Sequence, residues 1–89
     1  MLKTGQVLNN RYQIQSTLGA GGFGAVYKVW DDNLQRFCAI KENLQASDES
    51  QKQFKREAIM LASLNHPHLV RVTDYFFISD RGQYLVMDY

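Results

Sequence analysis

Apolar and polar residues alternate near the start of the chain. In RYQIQSTL, residues 11–18, the apolar Tyr12, Ile14 and Leu18 alternate with glutamines and a threonine, and Ser16 is the exception. A two-residue period is typical of a β-strand with one solvated face. The pattern therefore predicts a strand whose apolar side packs against a core.

Two more strands follow in the predicted order. AVYKVW, residues 25–30, is rich in β-branched and aromatic residues. A third run, RFCAIKE at residues 36–42, comes after the turn-forming DDNLQ at residues 31–35. Short links between consecutive strands predict an antiparallel meander.

The hydrophobic period changes in the middle of the chain. Ser47 can cap a helix whose first turn carries Asp48 and Glu49, where acidic groups suit the positive end of the helix dipole. The helix is predicted to extend to about Asn65. With a turn of about 100° per residue, one face of this helix carries Phe54, Ala58, Leu61 and Leu64.

A proline ends this helix, and a hairpin closes the predicted fold. Pro67 disfavours helical geometry at His66. His66 and His68 flank the proline and suit helix termination and packing better than metal binding, which needs more ligands. Two apolar runs, residues 69–78 and 83–89, are separated by SDRG and predict the hairpin.

The composition fits one small domain. The chain has 89 residues, of which 45% are hydrophobic and 21% are charged, and this allows a single modest core. We predict an α+β fold in which a five-stranded antiparallel sheet packs with one helix. Residues 1–10 are predicted to be a polar lead, and residues 11–89 the folded unit.

Charge and cysteine content exclude several function classes. Ten basic and nine acidic residues give a formal net charge of +1 without a run of like charge, so neither nucleic acid nor an anionic membrane is a predicted partner. Cys38 is the single cysteine of the sequence and cannot form an internal disulfide. The sequence has no signal-peptide pattern and no apolar run long enough for a membrane span. We therefore predict a cytoplasmic location.

A glycine-rich segment, LGAGGFGAVY at residues 18–27, carries the candidate chemistry. Gly19, Gly21 and Gly24 form a G-x-G-x-x-G pattern, which occurs in dinucleotide-binding folds, in kinase-type loops and in plain turns. A dinucleotide-binding fold is disfavoured, because its first strand is a continuous apolar run and its last glycine opens a helix. Glu42 lies near the position of a ribose-binding acid, but this signal does not discriminate. From the glycines alone, a phosphate-binding loop and a loose turn without a ligand are equally supported.

Two charged residues lie against their local patterns. Lys41 shares a strand face with Phe37 and Ala39, and Glu57 lies beside Leu61 on the apolar stripe of the helix. A carboxylate buried there would lose hydration worth several kcal/mol unless it were paired. We therefore predict an ion pair between Lys41 and Glu57, with a rim glutamate that reaches water as the alternative.

These motifs, taken in order, resemble the amino-terminal lobe of protein kinases of the serine/threonine type, closest to the bacterial ones. GAGGFGAV, residues 19–26, resembles the loop G-x-G-x-x-G-x-V, and CAIK, residues 38–41, resembles V-A-I-K with cysteine in place of the first valine. Glu57 in FKREAIML stands where the helix glutamate of the family pairs with that lysine. LNHPHLV resembles the segment before the fourth strand of the family, and YLVMDY, residues 84–89, resembles the fifth strand and the hinge. The resemblance covers about residues 11–89.

The resemblance implies a role for each matching residue. The glycine-rich loop would cover the ATP phosphates, Lys41 would bind the α and β phosphates, and Glu57 would hold Lys41 in place. Val26 and Ala39 would enclose the adenine from above, Met87 would limit the depth of the adenine pocket, and the hinge backbone would read the adenine edge. The implied ATP-binding residues are Leu18, Gly19, Ala20, Gly21, Gly22, Phe23, Gly24, Val26, Ala39, Lys41, Met87, Asp88 and Tyr89.

The sequence departs from the family pattern in one large respect. No segment resembles the catalytic loop H-R-D-x-x-x-x-N, the D-F-G metal site or the A-P-E segment. The chain stops at the hinge, as a piece of a longer kinase would. We therefore predict the ATP-binding half of a kinase, without Mg²⁺ ligands and inactive by itself. Its expected partners in a full-length enzyme are a carboxy-terminal lobe and a protein substrate.

A non-catalytic binding or assembly module is the alternative function. A lobe without its partner exposes one side of the nucleotide cleft and free sheet edges, and both are prone to association. This hypothesis predicts self-association through the cleft face or the sheet edges. We expect weak nucleotide binding or none in the isolated chain, because half of a cleft lacks the lower contacts to adenine and the metal ligands.

Overall fold

An antiparallel sheet and one helix make up the described part of the fold. The computed structural model describes residues 1–64 and 71–89. Its elements are β1 (Val7–Leu8), β2 (Tyr12–Gly21), β3 (Gly24–Asp31), β4 (Arg36–Asn43), α1 (Asp48–Ser63), β5 (Val72–Ile78) and β6 (Gly82–Asp88). The strands lie in the order β1-β2-β3-β4-β6-β5. The predicted α+β class, the meander of β2 to β4 and the closing β5-β6 hairpin are confirmed.

The sheet has six strands in the described residues rather than the predicted five. The additional strand is β1, which forms in the segment predicted as a polar lead and pairs with Tyr12 and Gln13 of β2. Leu2 and Leu8 are each 3% exposed. Their burial removes apolar surface from water, which explains why this segment joins the fold.

Part of the prediction lies outside the described residues. The helix ends at Ser63, and the N–H of the capping residue Leu64 donates to the carbonyl of Leu61 at 3.3 Å. The predicted helix end at about Asn65 and the predicted roles of residues 66–68 fall in the part that the structure leaves undescribed. The start of the predicted strand at residues 69–78 falls there too.

Strand β2 departs from the predicted alternation. Its register with β3 shifts between Ile14 and Ser16 and again between Thr17 and Gly19. Such bulges add a residue and reverse the faces of the side chains that follow. Leu18 is 49% exposed for this reason, so its predicted place on the apolar face is wrong.

The sheet has a separate core on each face. Alternation is strict along β3, where every second residue from Ala25 to Asp31 is buried. The largest side chains of the first core are Tyr12, Tyr27, Tyr84, Ile14, Ile40, Val29, Val86 and Cys38. Burial raises the pKa of the Cys38 thiol to about 11, so this cysteine stays protonated at neutral pH and packs as a small apolar residue.

The second core joins the helix to the sheet. Phe54 and Ala58 of α1 pack on Leu85 of β6, and partly buried side chains of β5 surround them. Leu64 was predicted on the same stripe, but it follows the last helical turn and is 48% exposed. Within residues 1–64 and 71–89, no helix has the length and apolar character needed to cross a membrane.

Polar contacts fix the amino-terminal end of α1. The Ser47 hydroxyl accepts a hydrogen bond from the Ser50 N–H at 3.2 Å, which confirms the predicted cap. The buried amide of Gln83 in β6 donates to the Gln51 carbonyl at 2.9 Å and to the Tyr75 hydroxyl at 2.7 Å. The first turn of the helix is therefore bonded directly to the strands beneath it.

An ion pair connects Arg11, directly before β2, to Asp31, the last residue of β3. The Arg11 guanidinium donates to both carboxylate oxygens of Asp31, each at 2.8 Å. Asp31 is 2% exposed and also accepts from the N–H groups of Asn33 and Leu34. Hydrogen bonding from Arg11 holds the pKa of the Asp31 carboxyl below its usual value.

We expect Asp31→Asn to lower the free energy of unfolding by about 2 kcal/mol, because an amide cannot accept both guanidinium N–H groups. The pKa of Asp31 is depressed in the folded state, so its contribution is present above the unfolded pKa of about 3.9 and disappears as the pH falls through the folded pKa. In urea unfolding, the difference between wild type and variant should shrink as the pH falls below about 4.

The matched control for this prediction is Asp32→Asn. Asp32 is exposed and accepts only from the Gln35 side chain among the described contacts, so a change below about 0.5 kcal/mol is expected. Equal losses of stability in the two variants would contradict a specific role for the Arg11–Asp31 pair.

Candidate functional site

A cavity of about 460 Å³ lies between the β2-β3 hairpin, the end of β4 and the helix. Every residue from Gly19 to Val26 lines it, together with Lys41 and Glu57. Its volume falls in the range of small-molecule sites. The structure thus brings the predicted phosphate-binding residues of the hairpin to one cavity with both predicted charged residues.

The hairpin covers one side of this cavity with nearly bare backbone. Gly21 pairs with Gly24, and Gly22 and Phe23 form the tip. A methyl group added at Gly19, Gly21 or Gly22 would have no other atom within 4 Å. A phosphate could therefore approach the backbone N–H groups of the hairpin without meeting a side chain.

Gly24 is required for a different reason. Its φ is +153°, and an added methyl group would overlap the backbone carbonyl of Glu42. The Phe23 carbonyl also accepts a hydrogen bond from the Leu44 N–H at 2.8 Å. These two contacts hold the hairpin against the end of β4.

Lys41 reaches the cavity because of its place in β4. It pairs with Val26 of β3 on one side and with Leu85 of β6 on the other, and directly paired residues project from the same face of a sheet. Its ammonium lies 6.0 Å from the ring centroid of Phe54 on the helix. Lys41 is exposed, so its charge is hydrated and available to an anion.

Glu57 lines the same cavity but does not form an ion pair with Lys41 in this structure. The ion pairs within 4.0 Å among the described residues join Arg11 to Asp31 and Arg36 and Arg71 to Asp88. The prediction assumed that Glu57 would be desolvated, and this assumption is wrong, because the residue is exposed and its carboxylate reaches water. Pairing with Lys41 stays a prediction.

Of the residues predicted to contact adenine, Val26 lines the cavity and the others do not. Ala39 pairs with Met87, two residue pairs along the sheet from Lys41, and both lie on the face that carries Lys41 and Val26. Leu18, Ala39, Met87, Asp88 and Tyr89 do not line the cavity itself. Ala39 and Met87 thus lie on the sheet face that lines the cavity, whereas Asp88 pairs with Cys38 of the first core.

Side chains at the predicted hinge make surface contacts. The Asp88 carboxylate lies 3.7 Å from the Arg36 guanidinium and 3.4 Å from that of Arg71. Tyr89 is 64% exposed, and the Lys28 ammonium lies 4.7 Å from its ring centroid. The Asp88 N–H also donates to the Arg71 carbonyl at 3.0 Å.

The sequence interpretation missed several residues of the cavity. The additional lining residues are Glu42, Asn43, Ser50, Gln53 and Phe54. Phe54 was predicted on the apolar stripe of the helix, and its position at the end of that stripe nearest the glycines could have indicated this role. No group of three or more His, Cys, Asp and Glu side chains in residues 1–64 and 71–89 could hold a metal ion.

Comparison with known proteins identifies the family. A model described as the protein kinase domain matches residues 12–89. The chain belongs to the protein kinase domain family. The predicted family resemblance, to the amino-terminal lobe of serine/threonine kinases, is therefore confirmed.

Curated relatives are serine/threonine kinases of bacteria and other organisms. A probable serine/threonine-protein kinase of Clostridium perfringens is 36% identical over 88 residues, which cover 96% of this chain and 13% of that protein. The probable serine/threonine-protein kinase YbdM of Bacillus subtilis is 33% identical over 88 residues, which cover 96% of this chain and 34% of that protein. This kinase lobe thus spans about a third or less of the length of these relatives.

Solved structures show the same fold over the whole chain. The apo form of PpkA-294 superposes with a TM-score of 0.85 at 27% identity and covers 100% of this chain, which spans 38% of it. The PknI kinase domain of Mycobacterium tuberculosis superposes with a TM-score of 0.79 at 30% identity and also covers 100% of this chain, which spans 36% of it. The curled sheet with one helix is the amino-terminal lobe of these kinase domains.

We expect Gly24→Ala to lower the free energy of unfolding of the lobe by at least about 2 kcal/mol, because the alanine methyl would meet a backbone carbonyl at an unfavourable φ. Gly22→Ala, in the same hairpin, has open space around the new methyl group and should change stability by less than about 0.5 kcal/mol. Urea midpoints of the two variants measure the difference. A Gly24→Ala variant as stable as Gly22→Ala would contradict the close approach of the hairpin to β4.

Proposed function

We propose that this chain is the ATP-binding lobe of a serine/threonine protein kinase. The observation that carries the proposal is the shared cavity of about 460 Å³, in which the exposed ammonium of Lys41 and the bare backbone of Gly19, Gly21 and Gly22 lie together. A cation beside backbone that no side chain covers suits a chain of phosphates. In a kinase, ATP supplies the phosphoryl group that is transferred.

The glycine hairpin and Lys41 divide the work of holding the phosphates. The hairpin presents N–H groups at its tip, and its anchorage to β4 through the Phe23 carbonyl and Leu44 keeps that tip over the cavity. Lys41 supplies the positive charge for the α and β phosphates. Because the phosphates bring negative charge to a cavity already lined by the Glu57 carboxylate, the ammonium also reduces repulsion between the two.

Glu57 serves as a positioning residue for Lys41 in this proposal. Both side chains line the cavity, and a carboxylate near the ammonium would restrict its range of positions. The adenine would lie along the same sheet face, against Val26, Ala39 and Met87, with the backbone of residues 88–89 at its edge. Support for this part is the shared face of these residues in the pairing of β3, β4 and β6.

The lobe does not transfer phosphate by itself in this proposal. Phosphoryl transfer requires metal ligands and an aspartate that orients the hydroxyl group of the substrate, and no motif for either occurs in the sequence. A carboxy-terminal lobe, Mg²⁺ and a protein substrate are the proposed partners of the whole enzyme. A cytoplasmic location, where ATP is available, completes the proposal.

We expect the chain to bind ATP more tightly than adenosine, and Lys41→Ala to raise the Kd for ATP about tenfold, which corresponds to about 1.4 kcal/mol. The Kd for adenosine should change little, because adenosine has no phosphate for Lys41 to contact. Titration of the isotope-labelled chain with each ligand to millimolar concentration, followed by NMR, measures both constants. The matched control is Lys55→Ala, which removes the same charge from an exposed position of the helix outside this cavity.

Two outcomes of this titration would contradict the proposal. If Lys41→Ala leaves the ratio of the two constants unchanged, the cavity does not hold phosphates at Lys41. If the chain binds neither ligand and sediments as an oligomer, the alternative of an assembly module is favoured. The large exposed fractions of Phe23, Ile59 and Met60, at 66%, 62% and 55%, are the observation that supports that alternative.

With labelled ATP, Mg²⁺ and a generic protein substrate, we expect no phosphate incorporation by the purified chain. The physical reason is the lack of a catalytic-loop aspartate and of metal ligands. A complete serine/threonine kinase domain in the same assay serves as the positive control. Incorporation that is abolished by Lys41→Ala would overturn the proposed inactivity of the lobe.

A further inference from the structure

A buried carboxylate lies next to Lys41 in the chain. Glu42 is 5% exposed. One of its oxygens accepts from the Tyr27 hydroxyl at 3.2 Å, and the other accepts from the Tyr84 hydroxyl at 2.9 Å. Both tyrosines are fully buried, so each carboxylate oxygen has a phenolic donor inside the first core.

The surrounding donors fix the direction of these hydrogen bonds. The Tyr27 oxygen accepts from the Leu2 N–H at 3.0 Å, and the Tyr84 oxygen accepts from the Arg81 guanidinium at 3.0 Å. A backbone N–H and a guanidinium can only donate. Each phenol must therefore direct its single proton toward Glu42, which is the arrangement that suits an ionised carboxylate.

The pKa shifts of the two tyrosines agree with this arrangement. Burial, followed by the hydrogen bond to Glu42, raises the pKa of Tyr84 to about 12. Burial also raises the pKa of Tyr27. Both phenols consequently keep their protons throughout the physiological range and remain donors.

The network joins three adjacent strands at one point. Tyr27 belongs to β3, Glu42 to β4 and Tyr84 to β6. Successive side chains of a strand point to opposite faces, so a fixed direction for the Glu42 side chain also fixes the direction in which Lys41 leaves the backbone. The backbone carbonyl of the same glutamate lies against Gly24 of the hairpin.

An apolar side chain could fill this position without the cost of desolvating a carboxylate, and such replacements are often neutral or stabilising. Hydrogen bonds differ from apolar contacts in that they restrict direction as well as distance. The buried carboxylate therefore suits a role in orientation better than a role in stability.

We propose that Glu42, held by Tyr27 and Tyr84, is a positioning residue that orients Lys41 and the Gly24 end of the hairpin toward the ATP phosphates. This inference rests on the proposed ATP-binding function. It assigns to the first core a part in nucleotide binding. Glu42 itself would not contact the phosphates and would act through Lys41 and Gly24.

The test compares the Kd for ATP with the Kd for adenosine in variants of the full 89-residue chain, because only ATP depends on Lys41. Glu42→Leu should raise the ratio of the Kd for ATP to the Kd for adenosine about fivefold. This factor corresponds to the free energy of one net hydrogen bond. Glu42→Gln, which keeps an acceptor for one tyrosine, should recover most of this loss. Tyr84→Phe should shift the ratio in the same direction by about threefold.

Asp31→Asn is the control for lost stability. It breaks a buried ion pair at the far end of β3 and should leave the ratio of the constants within about twofold of the wild-type value, although it lowers the free energy of unfolding. In the chain without nucleotide, the amide NMR signals of Gly24 and Lys41 should shift in Tyr84→Phe and remain in place in Asp31→Asn. This second readout requires no ligand, and Tyr84→Phe carries the test if Glu42→Leu does not fold.

The outcomes separate this inference from the proposed function. If Lys41→Ala raises the ratio and neither Glu42→Leu nor Tyr84→Phe does so, the positioning role is overturned and ATP binding stands. If Lys41→Ala has no effect, the proposed function fails first. If Tyr84→Phe moves no signal of Gly24 or Lys41, the coupling between the first core and the site is refuted whatever the chain binds.

Discussion

The alternation of side chains along β4 is the constraint on which the rest of this lobe depends. Lys41 and Glu42 are adjacent, yet the Lys41 side chain is exposed at the cavity and the Glu42 carboxylate is buried against Tyr27 and Tyr84. Both placements require that β4 be held on each side, and β3 and β6 hold it with continuous antiparallel pairing. A shift of one residue in that register would expose Glu42 to the cavity and bury an ammonium group in the core, at a cost of several kcal/mol.

The same strand also determines the place of the glycine hairpin. The tip is bonded to Leu44, directly after β4, and Gly24 lies against the carbonyl of Glu42. The hairpin is therefore rich in glycine, but one hydrogen bond and one close backbone approach hold it at the end of β4. The Lys41 ammonium and the backbone of the hairpin are consequently held in one place by the same strand.

Local pattern predicted the strands and the helix well, because period, turn residues and the Ser47 cap are properties of neighbouring residues. It failed for Leu18, since bulges that reverse the faces of β2 follow from pairing with β3. The motifs predicted a nucleotide site at the glycines and Lys41, and these residues line one cavity. The partners of Glu42 could not be predicted, because they lie 15 and 42 residues away.

The position of α1 depends on apolar packing more than on an ion pair between Lys41 and Glu57. Burial of Phe54 against Leu85 and Tyr75 is worth about 1.5 to 3 kcal/mol, and the bond from Gln83 to the Gln51 carbonyl adds to it. An ion pair between two exposed side chains is worth about 0 to 1 kcal/mol. Apolar packing therefore decides where the helix lies, and Glu57 stays hydrated beside the cavity. An ion pair between Lys41 and Glu57 would gain strength only if water were excluded from the cavity and the dielectric constant fell, and only then could its attraction compete with the packing.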